Sequence, residues 1–147
     1  MSALRELYQE VIIDHSKQPR NFGALLDANH SKEGFNPLCG DRVTIHVLAE
    51  NDVLTKLNFE GCGCAISMAS ASLMTETLCG KTRAQVEEIF QQFHQLITQG
   101  NVAADLLGKL TVLAGVAEFP ARVKCATLAW HTLKAALAGD PQPVCTE

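Results

Sequence analysis

Three short segments of this 147-residue chain place a thiol where the backbone must bend. The first is Pro37-Leu38-Cys39-Gly40-Asp41. Gly40 lets the backbone turn tightly, so Cys39 and Asp41 can point the same way. A thiolate and a carboxylate together bind zinc or ferrous iron well. The second is Gly61-Cys62-Gly63-Cys64-Ala65-Ile66-Ser67, joining the end of a strand to the start of a helix. A helix N-terminus favours negative charge, which makes Cys64 the more thiolate-like of the pair, while Cys62 lies between two glycines. The third is Phe119-Pro120-Ala121-Arg122-Val123-Lys124-Cys125. Pro120 suits a helix start, Cys125 is expected in the first turn, and Arg122 and Lys124 add positive charge.

Each segment alone also fits an ordinary turn or a packed cysteine. Jointly, three thiols at loops or helix starts, one beside a carboxylate, suit a tetrahedral site for zinc or a small iron–sulfur cluster. The spacing is not C-x-x-C, so three distant segments must be brought together by the fold. Such a site belongs on the rim of the domain, open to delivery and removal of its contents. The remaining candidates carry less. Cys79 follows an apolar helix and is expected to be packed. Cys145 lies in the tail, and His46 reads as a solvated strand residue. His131, beside Trp130, reads as structural. His15 reads as a cationic cap on the first helix. No Ser-His-Asp pattern, phosphate loop or dinucleotide fingerprint is present.

The elements that must position these residues follow from composition and pattern. The chain is 47% hydrophobic and suits one domain with its own core. No apolar run approaches a membrane span, and the net charge of −4 without a basic cluster argues against nucleic acid as a partner. Six cysteines without an export signal point to a reducing cytoplasm and to metal or sulfur chemistry rather than disulfides. Leu4, Leu7, Tyr8, Val11 and Ile12 predict an opening helix capped by Ser2. Val43, Ile45 and Val47, then Val53, Leu57 and Phe59, predict a hairpin turning at Glu50-Asn51-Asp52, with a short strand near 29–35 beside it. From Ala65 a helix of small residues is expected to run to near Gly80. A capping box at Thr82 and Gln85 opens the next helix, which closes at Gly100. Leu106, Leu107, Leu110 and Leu113 predict a short helix before Gly115, and a last helix begins after Pro120. Strands first and helices after predict an α+β fold, with helices on one side of a small antiparallel sheet. The domain is expected over residues 1–138, with a mobile tail over 139–147.

The combination resembles the NifU N-terminal/IscU family of iron–sulfur scaffold proteins. The residues that carry the resemblance are Leu7-Tyr8, Asp14-His15, Pro19-Arg20-Asn21-Phe22-Gly23, Asn36-Pro37-Leu38-Cys39-Gly40-Asp41, Gly63-Cys64-Ala65-Ile66-Ser67-Met68-Ala69-Ser70-Ala71-Ser72, and Phe119 through Leu128. It extends from about Leu4 to Leu137. Lys124 stands where IscU-branch scaffolds carry a His before the last ligand Cys, and the helical stretch 80–115 is long enough for an insert. Both features resemble the SufU branch. The resemblance implies a three-stranded antiparallel sheet with helices packed on one face (SufE/NifU-like). It implies the ligand set Cys39, Asp41, Cys64 and Cys125, with Cys64 rather than Cys62 starting the Ser/Ala-rich helix; Cys62 departs from the family pattern.

Three functions compete. A zinc-dependent sulfur acceptor of the SufU kind would take persulfide from a SufS-type cysteine desulfurase, with Cys39 as the acceptor thiol. A scaffold would assemble a labile [2Fe–2S] cluster and pass it to recipient apo-proteins; a hard carboxylate among thiolates holds a cluster less firmly than four thiolates. A zinc-stabilised adaptor without chemistry would unfold when stripped of metal, a dependence that the sizeable apolar core makes unnecessary.

Overall fold

The structure is a computed structural model that describes residues 3–37, 40–100, 107–139 and 144–145. Helix α1 spans Ala3–Lys17, and strands β1 (His30–Asn36), β2 (Asp41–Glu50) and β3 (Val53–Cys62) follow. Helices α2 (Ala65–Leu78) and α3 (Arg83–Gln99) come next, then a 3-10 helix over Gly108–Glu118 and helix α4 over Pro120–Ala138. The two-residue strand β4, Val144–Cys145, pairs parallel to Gly34 and Phe35 of β1. The sheet order is β3-β2-β1-β4, and the three long strands are antiparallel.

The expected α+β architecture is present, and its causes are local. Asn51 and Asp52 both take positive φ, 51° and 68°, as a two-residue hairpin turn requires. Alternation in β2 buries Val43, Ile45 and Val47 on one face and leaves Arg42, Thr44 and His46 on the other. Helix α4 packs on β1 and β2, α2 packs on β3, and α1 packs against α2. Trp130 of α4 centres the core, fully buried and stacked on Phe93 at 4.2 Å.

Helix α2 is covered on nearly every side, which explains its small residues. Ser67, Ala69, Ser70, Ala71 and Ser72 are all buried. Small side chains let neighbours approach, but buried hydroxyls need partners. Ser70 Oγ donates to Ala126 O at 2.6 Å and accepts the Trp130 indole N–H at 3.1 Å. Those two bonds tie α2 to α4, the two helices that carry Cys64 and Cys125.

Helix α3 opens with the expected capping box of Thr82 and Gln85 and closes at Gly100 in the left-handed conformation. One expectation needs amending. The leucine-rich stretch forms a 3-10 helix that continues through Gly115 to Glu118, because Leu110, Val112, Leu113 and Val116 all find core partners. Leu106 lies outside the described residues. Within the stretch expected as a tail, Val144–Cys145 adds a short parallel edge to β1.

Candidate functional site

Asp41 is the first residue of β2, directly across from Asn36, the last of β1. Residues 37–40 connect the two strands in sequence, and the Gly40 N–H donates to Asn36 O at 2.9 Å. Gly40 has φ +73°, a conformation that an L side chain rarely adopts. Cys39 belongs to this connection but lies outside the described residues.

Cys64 is the N-cap of α2. Its backbone is extended, and its Sγ accepts the Ser67 N–H at 3.4 Å. Its own N–H donates to Asp41 Oδ1 at 2.9 Å, and its Sγ lies 3.9 Å from Asp41 Oδ2. Cys125 is buried in α4, with Sγ 3.8 Å from Ala121 O one turn back. Since α4 begins at Pro120, Cys125 occupies the second turn rather than the expected first. Help from the helix dipole, which fades beyond the first turn, is correspondingly smaller there.

A carboxylate oxygen of Asp41, Cys64 Sγ and Cys125 Sγ lie within 4.8 Å of one another. A tetrahedral ion with Zn–S bonds of ~2.3 Å spaces its sulfurs by about 3.8 Å. Two sulfurs and a carboxylate oxygen at this spacing therefore fit a zinc or iron ion with only a small contraction. Three of the four expected ligands are thus brought together.

The pleat separates Cys62 from this group. Cys62 pairs directly with Arg42, so it shares the face of Arg42 while Asp41 occupies the opposite, buried face. Cys62 is exposed there. Cys79, expected to be packed, is also exposed, its thiol donating to Thr55 O at 3.5 Å. The last turn of α2 runs out to the surface, so the apolar residues before Cys79 do not imply its burial.

Two histidines differ from expectation. His15 is no exposed cap: it is 2% exposed, with Nδ1 2.7 Å from Ser72 Oγ and Nε2 3.7 Å from Glu76. His46 lies on the face away from the core, yet Ser31 and Glu60 flank it at 2.9 and 2.7 Å. His131 is structural as expected, packed edge-on against the Phe90 ring. Sequence reasoning missed Ser72, whose hydroxyl also accepts the Arg20 N–H at 2.9 Å. Its only sequence signal was a polar residue in a stretch of small ones.

Comparison with known proteins places this geometry. The model of the NifU-like N terminal domain matches residues 7–127. A protein of Streptococcus pyogenes serotype M1, named iron-sulfur cluster assembly scaffold protein IscU, is 41% identical over 138 residues, covering 93% of this chain and 86% of that protein. The zinc-dependent sulfurtransferase SufU of Bacillus subtilis is 43% identical over 142 residues, covering 93% of each. Among solved structures, a candidate iron-sulfur cluster assembly scaffold for the SUF system from Fervidobacterium islandicum superposes with a TM-score of 0.84. It is 36% identical, over 90% of this chain and 98% of that one. Among the described residues, no helix is long and apolar enough to cross a membrane. A family match across most of the length, relatives above 40% identity and a shared fold together establish that the chain belongs to the NifU-like N-terminal domain family of iron–sulfur cluster assembly proteins.

Proposed function

We propose that this protein receives persulfide sulfur from a SufS-type cysteine desulfurase at a zinc site made by Cys39, Asp41, Cys64 and Cys125, and passes that sulfur on to cluster assembly for recipient apo-proteins. The observation that carries the reading is the convergence of Asp41, Cys64 Sγ and Cys125 Sγ within 4.8 Å, with Cys39 in the chain between β1 and β2. The zinc-dependent sulfurtransferase that is 43% identical supports it. Lys124, in place of the His of IscU-branch scaffolds, favours it further.

Zinc, when bound, keeps the thiols deprotonated and cross-links the segments that carry them. The protein's own residues then divide the work. Cys64 and Cys125 are held by helices, and Asp41 is held by the Cys64 N–H. Cys39 falls in the chain between β1 and β2 rather than in a helix, and we take it as the ligand that leaves. Its thiolate attacks the terminal sulfur of the desulfurase persulfide. The sulfur–sulfur bond to the desulfurase cysteine breaks, a new one forms to Cys39 Sγ, and the electron pair departs on the desulfurase thiolate.

The second reading is a scaffold for a labile [2Fe–2S] cluster on the same residues, supported by the relative of 41% identity named as a scaffold. Desulfurase turnover without iron separates the two. Stimulation only by zinc-loaded protein supports the sulfurtransferase. Acceptance by metal-stripped protein, with a cluster appearing once iron is added, overturns it in favour of the scaffold.

A further inference from the structure

Two glycines flank Cys62, and they are glycine for different reasons. Gly61 has φ +150°, and a Cβ there would run into the backbone of Arg42 and Val43. Gly63 has an ordinary φ, so its backbone would accept any L residue. What it lacks is room. A Cβ on Gly63 would sit 2.5 Å from Asp41 Oδ1, 3.0 Å from its Cγ and 3.2 Å from its Cβ. The whole carboxyl end of Asp41 occupies the space that a side chain at 63 would need.

That position of Asp41 has consequences. Asp41 is 1% exposed, and its Oδ1 takes the Cys64 N–H at 2.9 Å. One carboxylate oxygen is therefore committed to the start of α2, and Oδ2 is turned toward Cys64 Sγ at 3.9 Å. A carboxylate fixed in this way presents a single oxygen to a metal and is in place before the metal arrives. Asp41 begins β2 and cannot retreat without breaking its pairing with Asn36.

We infer that Gly63 is a positioning residue for the metal centre, acting through Asp41: its missing Cβ is the seat of the carboxylate that orients one oxygen toward the ion. The inference rests on the metal reading given above, but the arrangement that it describes exists in the metal-free protein. Partners that orient a ligand typically cost 10–100-fold in metal affinity when removed. Gly63→Ala accordingly lowers zinc affinity by about 10–100-fold.

The test is a cycle of four proteins: wild type, Gly63→Ala, Asp41→Ala and the double variant. Zinc affinity is measured by competition with a chromophoric chelator. The Cys64 amide proton is followed by NMR in the metal-free proteins. The inference expects Gly63→Ala to release the Cys64 amide as Asp41→Ala does. It also expects Gly63→Ala to have no further effect on affinity once Asp41 is Ala. Should Gly63→Ala fail to fold, the double variant must regain the fold, because removing the carboxylate empties the seat. Equal losses from Gly63→Ala with and without Asp41, no change in the Cys64 amide, or a double variant that stays unfolded would each overturn it. A wild type without zinc affinity, but with the expected amide changes, would sink the metal reading and leave the positioning intact.

Discussion

The two halves of α2 hold two polar clusters of different character. In the C-terminal half, Ser72 Oγ meets His15 Nδ1 and the Arg20 N–H. Thr75 Oγ1 donates to Ser72 O at 2.7 Å and accepts from Asn21 Nδ2 at 3.1 Å. Most of these bonds are short, and the groups that make them are nitrogen and oxygen. At the N-terminus, the sulfur contacts of Cys64 and Cys125 are 3.4 to 3.9 Å long. Such contacts are weak, and a metal can replace them at little cost. One cluster closes the fold by joining α1 to α2, and the other gathers two thiols and a carboxylate at metal-ligand spacing. Both clusters are buried or half-buried, so burial alone does not mark a functional site; the convergence of two thiols and a carboxylate within 4.8 Å does.

If that division holds, changes at the N-terminal cluster should alter chemistry and spare the fold. Cys39→Ser, Cys64→Ser and Cys125→Ser are each expected to abolish sulfur acceptance, measured as stimulation of the desulfurase, while Cys79→Ser, exposed and distant in sequence, retains it. Full activity in any of the first three would mean that thiol is not needed for sulfur acceptance.

Stripping the metal sharpens the same contrast. The hydrophobic core of β2, β3, α2, α3 and α4 forms one continuous cluster, so the fold is expected to form without an ion. Chelation should lower the melting temperature and leave far-ultraviolet circular dichroism unchanged. A chain that unfolds on chelation would instead be a zinc-dependent adaptor.

At the other end, Ser72→Ala is expected to destabilise the protein by about 1–3 kcal/mol, because it strands the buried His15 ring and the Arg20 N–H. Denaturant titration of the metal-free protein measures this, and zinc affinity should stay within error of wild type.

The smallest effect is a pH dependence. Burial first, and the nearby Arg20 charge second, hold His15 below the ordinary imidazole range against the pull of Glu76 and Asp14, with Lys109 adding to the lowering. The unfolded chain therefore takes up this proton before the folded one. Stability falls as pH drops below about 6.5, by at most about 1.4 kcal/mol per pH unit from this group. His15→Gln should flatten the slope in that range, as read from denaturant midpoints between pH 5 and 8; an unchanged slope would mean that the ring is not the group responsible.

Much of the fold was legible because its signals are local. Alternation in β2 and β3, the Asn51-Asp52 turn, the Thr82 and Gln85 capping box, and the proline and glycines that bound helices each act within a few residues. The placement of Cys64 at the start of α2 was legible for the same reason. The 3-10 helix was harder to read, because leucine spacing alone does not fix how tightly the turns wind.

Read from sequence alone were the main helices and strands, the α+β architecture, the family and the segments that would build a metal site. Direction came only with the folded chain. Strand pairing placed Cys62 beside Arg42 and away from Asp41, and the docking of α1 on α2 buried His15 against Ser72. The surface end of α2 exposed Cys79, and Gly63 gave its space to a carboxylate 22 positions earlier in the chain. Backbone preference is a property of neighbouring residues, whereas the face on which a side chain lies, and the group that fills the space beside it, depend on contacts that the folded chain makes across distant positions.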